Sequence, residues 1–245
     1  MKIVLRLAVA MAVGIPLPLV GQQPARLDTT IRLNLRGTVD LSIVSGKITV
    51  RGWDQADVRV QASAESGRLR FDATPTRVTV RVEQEREGPR SRADAIYDVS
   101  VPRGTRLRLQ AASGSITASG SQADVSATTV SGAIDVTGGR RQVSLESVSG
   151  PVKASQVAGD LRVQNVSGSV RVENVSGRIE AWTVRGGIRV IGGRANDIRA
   201  ETASGDIVYS GQIATGATYD FESHSGAIRL TVPRTAGAQF RLETV

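Results

Sequence analysis

Residues 113–193 divide without a gap into nine units of nine residues each: SGSITASGS, QADVSATTV, SGAIDVTGG, RRQVSLESV, SGPVKASQV, AGDLRVQNV, SGSVRVENV, SGRIEAWTV and RGGIRVIGG. The fourth residue of every unit is Ile, Val or Leu, and the sixth is Ala, Val or Leu. Two apolar positions separated by one residue describe a short strand with one buried face, whereas a helical face needs spacings of three and four. The stretch therefore predicts a series of short strands.

Glycine indicates how these units pair. Five glycines recur every eighteen residues at the second position of alternate units: Gly114, Gly132, Gly150, Gly168 and Gly186. Glycine is favoured where a chain turns with positive φ, because it has no Cβ. One coil is therefore expected to contain two units, and stacked coils would form parallel sheets with about 4.8 Å between rungs. The pattern predicts an all-β parallel β-solenoid with an irregular N-terminal β cap. An antiparallel hairpin stack of the same strands is the alternative, which the constant unit length disfavours.

The chain is expected to contain three segments. Residues 1–25 carry Lys2 and Arg6 before an apolar run that ends in small and polar residues, which is typical of a secretory signal peptide. Residues 26–112 contain short alternating segments separated by turn residues and are predicted to form the N-terminal cap. Residues 113–245 would form the solenoid, continuous with the cap.

The C-terminus resembles a repeat that stops before its next corner. Leu242-Glu243-Thr244-Val245 ends in the valine that precedes Ser-Gly in many of the repeats. Two interpretations follow from this ending: the chain is a fragment, or Val245 ends an uncapped sheet edge.

The composition disfavours several classes of function. The chain has no Cys and one His, so no Cys-based or multi-histidine metal site is expected, and no cofactor is predicted. Nucleic-acid binding is not expected, because the aromatic content is 3% and the protein is predicted to be exported. The formal net charge of +8 favours encounter with an anionic partner through attraction that salt weakens.

Two segments before the repeats, and a tripeptide that recurs within them, resemble a known family. They are Gly37–Gly46, then Gly52-Trp53-Asp54, and the Val-Ser-Gly repeats that begin at residues 130, 148, 166 and 175. Together they are similar to the bacterial putative-adhesin family, a β-strand-repeat domain of unknown function. The resemblance covers about residues 27–245. It implies a right-handed β-solenoid in the periplasm or at the cell surface, with adhesion as the family's label and no catalytic residues.

Two candidate binding features follow from the repeat register. The outward fifth positions of one face include Lys153, Arg171 and Arg189, which would stack as a basic stripe able to bind an anion. Trp182 lies at an outward seventh position of the other face, where its indole could stack on a sugar ring.

These features favour a non-enzymatic envelope protein, adhesin-like or a scaffold. It would present a rigid surface to anionic polysaccharide, lipid headgroups or a partner protein. The alternative is a solenoid polysaccharide lyase or hydrolase, which needs clustered carboxylates. The nearest candidates are Asp135, Glu173 and Glu180, and the register separates them, so no catalytic residue is predicted.

Overall fold

A computed structural model describes residues 25–34, 36–83 and 94–234. These residues form nineteen strands, and none of them lies in a helix. The strands are β1 (Ala25–Arg32), β2 (Thr38–Trp53), β3 (Asp57–Ala64), β4 (Arg68–Thr74), β5 (Arg77–Glu83), β6 (Asp94–Pro102), β7 (Arg106–Ser121), β8 (Val125–Ser131), β9 (Ile134–Gly138), β10 (Gln142–Ser149), β11 (Val152–Ser155), β12 (Asp160–Ser167), β13 (Val170–Val175), β14 (Arg178–Arg185), β15 (Ile188–Gly193), β16 (Asp197–Ser204), β17 (Ile207–Ser210), β18 (Thr218–Ser225) and β19 (Ile228–Thr231).

The repeats form a parallel β-solenoid with two strands in each coil, as predicted. The first sheet contains β8, β10, β12, β14, β16 and β18, each parallel to the next. The second sheet contains β9, β11, β13, β15, β17 and β19 in the same arrangement. Every neighbouring pair in these two series is parallel, so the antiparallel hairpin stack is wrong for the repeats.

The coil length is eighteen residues for most of the solenoid and then increases. Val170 pairs with Ile188, eighteen residues later. Ile188 pairs with Ile207, and Ile207 with Ile228, so the last two coils are longer. The additional residues of the last coil lie between β17 and β18.

The N-terminal strands extend both sheets in an order that differs from the chain order. The long strands β2 and β7 cross from the first sheet to the second, and they pair with each other along both halves. On its other side β2 pairs with β5 in the first sheet and with β6 in the second. The antiparallel strands β4, β3 and β1 complete this end. Residue 113 lies inside β7, which pairs in parallel with β2 on one side and with β8 and β9 on the other, so the stack continues across this position.

A narrow apolar core separates the two sheets. The fourth and sixth positions of all nine units are buried, as strand alternation predicts. The ninth position of the units is exposed at one corner of the coil and buried at the other. Val148 is 47% exposed, whereas Val175 is fully buried. The preceding Asn174 has a φ of +53°, which interrupts the alternation of the strand and turns Val175 inward.

A stack of glycines forms the corner that leads from the first sheet to the second. Gly150 has a φ of +149°, and a Cβ added to it would lie 2.1 Å from the carbonyl oxygen of Gly132 on the preceding rung. Buried polar side chains bind carbonyl oxygens of this stack. Asn165 Nδ2 donates to Gly150 at 2.9 Å, and Thr202 Oγ1 donates to Gly186 at 3.1 Å. The corner therefore requires glycine for both backbone conformation and space.

Two of the predictions made from the sequence, the signal peptide and the ending at Val245, concern the ends of the chain. The predicted signal peptide, residues 1–25, lies outside the described residues except for Ala25, and so does Val245. Across residues 25–34, 36–83 and 94–234, no helix is long and apolar enough to cross a membrane.

Candidate functional site

The parallel register brings the three cations of the predicted basic stripe onto consecutive rungs of the second sheet. Lys153 on β11 pairs with Arg171 on β13, and Arg171 pairs with Arg189 on β15. Their side chains alternate with buried apolar residues of the same strands and point outward. About 4.8 Å separates neighbouring rungs, so like charges stack closely along this face.

One carboxylate partly neutralises the stripe. Glu173, two residues after Arg171 on β13, lies 2.5 Å from Nη2 of Arg171 and 3.7 Å from Nζ of Lys153. The hydrogen bond from Arg171 is the main cause of a lowered pKa at Glu173, which keeps this carboxylate ionised. In the described part of the chain, no carboxylate lies within ion-pair distance of Arg189. This end of the stripe therefore keeps its positive charge.

A shallow depression of about 330 Å³ surrounds Arg189 and contains a cation that the sequence analysis missed. Arg229 on β19 lies two rungs beyond Arg189, with Val208 between them. Arg229 forms an ion pair with Asp206 at 2.6 Å. A count based on nine-residue units does not place Arg229 on this face, because the last coil is longer. The sequence does contain a signal for Arg229. Arg229 follows Ser225-Gly226 and Ile228 in the same way that Arg171 follows Ser167-Gly168 and Val170.

The second candidate feature, Trp182, lies on the opposite face, in the first sheet. Its indole is 44% exposed and borders a shallow depression of about 480 Å³. The polar side chains that line this depression are Arg162, Gln164, Glu180, Arg199 and Glu201. In the register Trp182 lies between Gln164 and Glu201.

The charges around Trp182 are paired. Arg162 lies 3.7 Å from Glu180, and Arg199 forms a close ion pair with Glu201. The depression therefore combines an apolar aromatic surface with a rim that has no net charge.

The three carboxylates considered for catalysis do not converge. Asp135 on β9 lies two rungs from Glu173 on β13, with β11 between them. Glu180 lies on β14 in the other sheet, and Glu173 is held by Arg171. In the described ranges, no group of three or more His, Asp or Glu side chains could hold a metal ion.

Comparison with solved structures finds several matches of low similarity. "Putative cell adhesion protein" from Clostridium sporogenes is 10% identical, with 86% of this chain and 100% of that chain covered and a TM-score of 0.31. "Putative lipid binding protein" from Parabacteroides distasonis is 14% identical, with 86% and 97% covered and a TM-score of 0.36. "Putative adhesin" from Parabacteroides merdae is 10% identical, with 84% and 96% covered and a TM-score of 0.33. Similarity at this level says nothing about what this chain binds.

Comparison with protein families is more informative. No curated protein matches the chain. The model of the family described as Toastrack DUF4097 matches residues 98–244, more than half of the chain. This match includes all nine repeat units and confirms the resemblance to a β-strand-repeat family of unknown function. The chain therefore belongs to the Toastrack DUF4097 family.

Proposed function

We propose that this protein is an exported, non-enzymatic binding protein of the cell envelope, and that its second sheet binds an anionic polysaccharide. The observation that carries the proposal is the presence of Lys153, Arg171 and Arg189 on three consecutive rungs. One carboxylate, Glu173, contacts the first two cations, and the third is unpaired within the described residues.

Stacked like charges favour a ligand that supplies the opposite charge along the same line. Neighbouring cations on a sheet repel each other mildly, and an anion bound across them removes that cost. A linear polyanion can contact several rungs at once, which multiplies weak individual contacts into a useful affinity. The parallel ladder also holds the backbone positions of the cations at a fixed spacing, so little backbone entropy of the protein is lost when the polymer binds.

The export that we propose is consistent with this choice of ligand. The segment around Lys2 and Arg6 and the apolar run after it have the pattern of a signal peptide. In the envelope, acidic glycans and anionic lipid headgroups offer the same chemistry to a basic surface. The extended line of charges favours a linear glycan over a separate lipid headgroup.

A binding assay with polygalacturonate tests the proposal. We expect the protein to bind at about 0.01 M salt and to lose binding at about 1 M, because the Debye length falls from about 30 Å to about 3 Å. The Lys153→Ser, Arg171→Ser, Arg189→Ser variant should bind at least about tenfold more weakly at low salt, because each exposed charge contact contributes up to about 1 kcal/mol. Glu173→Gln should bind more tightly than the wild type, since it removes the carboxylate from the stripe.

The matched control removes the same charge elsewhere. Arg81, Arg108 and Arg140 are exposed and lie outside the stripe. Their triple replacement by serine should retain most of the binding. Equal losses in the two triple variants would show that only net charge matters and would refute the stripe as a site. Vesicles of phosphatidylglycerol form the lipid arm, and tighter binding to them than to polygalacturonate would contradict the choice of glycan.

A further inference from the structure

The depression around Trp182 is a separate feature that the basic stripe does not explain. On the first sheet, the outward position that holds Trp182 is polar on the other repeat rungs. The corresponding residues are Thr128, Glu146, Gln164, Glu201 and Glu222. The sheet therefore folds with polar residues at this position, and an indole is not needed for packing.

The indole is exposed at some cost in free energy. Trp182 leaves 44% of its surface in water, whereas the core lies on the other side of the sheet. In the described part of the chain, no group accepts a hydrogen bond from Trp182 Nε1. An exposed indole can stack on a partner and donate a hydrogen bond to it, which is why tryptophan is enriched at interfaces.

Polar side chains flank Trp182 on the neighbouring rungs and on its own strand. Gln164 and Glu201 flank the indole on the two neighbouring rungs, and Glu180 lies two residues before it on the same strand. A carboxylate can accept two hydrogen bonds through its two oxygens, and an amide can accept one through its oxygen and donate through its nitrogen, so both can contact adjacent ring hydroxyls. The depression, at about 480 Å³, lies within the range of about 300–1,000 Å³ that is usual for small-ligand sites.

The charge balance selects the class of sugar. Arg162 is paired with Glu180, and Arg199 with Glu201, so the rim is neutral as a whole. An acidic sugar would gain no net attraction here, because repulsion by Glu180 and Glu201 offsets attraction by Arg162 and Arg199. An uncharged pyranose presents an apolar C–H face to the indole and hydroxyl groups to the rim. We infer that the depression around Trp182 binds an uncharged pyranose ring of a glycan, on the face opposite the basic stripe.

Titration with neutral tetrasaccharides tests this inference. The probes are cellotetraose, maltotetraose and chitotetraose, and binding is measured by calorimetry and tryptophan fluorescence. We expect at least one probe to bind and to change the fluorescence. Trp182→Gln, which introduces the residue present on the preceding rung, should weaken binding at least about tenfold, as loss of aromatic stacking does. Trp182→Phe should retain more of the affinity.

Two controls make the test specific. Ile96→Gln removes another exposed apolar side chain, on the second sheet, and should leave sugar binding unchanged. The fluorescence change should disappear in Trp182→Gln, in which Trp53 is the remaining tryptophan. Failure of all three probes to bind, or equal binding by wild type and Trp182→Gln, would overturn the inference.

This inference and the proposed function fail independently. Trp182→Gln should still bind polygalacturonate, and the triple variant of Lys153, Arg171 and Arg189 should still bind the neutral probe. Loss of both activities in either variant would contradict the assignment of two separate sites.

Discussion

Replacement of Gly150 by alanine should destabilise the protein by at least about 3 kcal/mol. Gly150 has a φ of +149°, a conformation in which an L side chain is strained. An added Cβ would also lie 2.1 Å from the carbonyl oxygen of Gly132. Relief of this clash would separate two rungs of the stack, because the obstacle is backbone. Urea unfolding followed by circular dichroism measures the loss.

Gly216 provides the matched control for this prediction. It also has a positive φ, +73°, but no heavy atom lies within 4 Å of an added Cβ. Gly216→Ala should therefore cost about 1 kcal/mol, from backbone strain alone. If Gly150→Ala and Gly216→Ala lose the same stability, the tight stacking of the corner glycines is wrong.

Replacement of Leu145 by alanine should cost about 3 kcal/mol, within the usual range of about 2–5 kcal/mol for a buried leucine. Leu145 lies on β10 and is fully buried between the two sheets. Its neighbours in the register are Ala127 and Val163, which are too small to fill the space left behind. The same unfolding assay measures this variant.

The control for Leu145 lies three residues later on the same strand. Val148 is 47% exposed, so Val148→Ala should change the free energy of unfolding by no more than about 0.5 kcal/mol. If Val148→Ala lost as much free energy of unfolding as Leu145→Ala, the side chain of Val148 would have to be buried. The alternation of inward and outward side chains along β10 would then be incorrect.

The periodic features of the structure could be predicted from the sequence. A constant coil of eighteen residues places any residue beside the one eighteen positions later, so the adjacency of Lys153 and Arg171 follows from counting. The same rule predicts which side of each strand faces the core. It also places Trp182 on the outer face and Arg162 beside Glu180. The pairing of Arg199 with Glu201 on one strand depends on rotamers that periodicity does not determine.

The remaining features depend on contacts that do not repeat at a fixed spacing along the chain. The position of β2 between β6 and β7 joins segments that are far apart in the chain. The inward turn of Val175 depends on the positive φ of Asn174, and nothing in the repeat count indicates it. Arg229 escaped prediction because the insertion before β18 changes the coil length.

The distance between two spin labels tests the central claim most directly, namely that positions eighteen residues apart lie on adjacent rungs. The chain has no cysteine, so cysteines introduced at Thr117 and Val208 would be the only labelled sites. These residues flank the basic stripe in the same register column, five rungs apart. Pulsed electron paramagnetic resonance should give a distance near 24 Å, from about 4.8 Å per rung. A distance near 48 Å, which is expected if every nine-residue unit added its own rung to one sheet, would contradict the solenoid and the basic stripe with it.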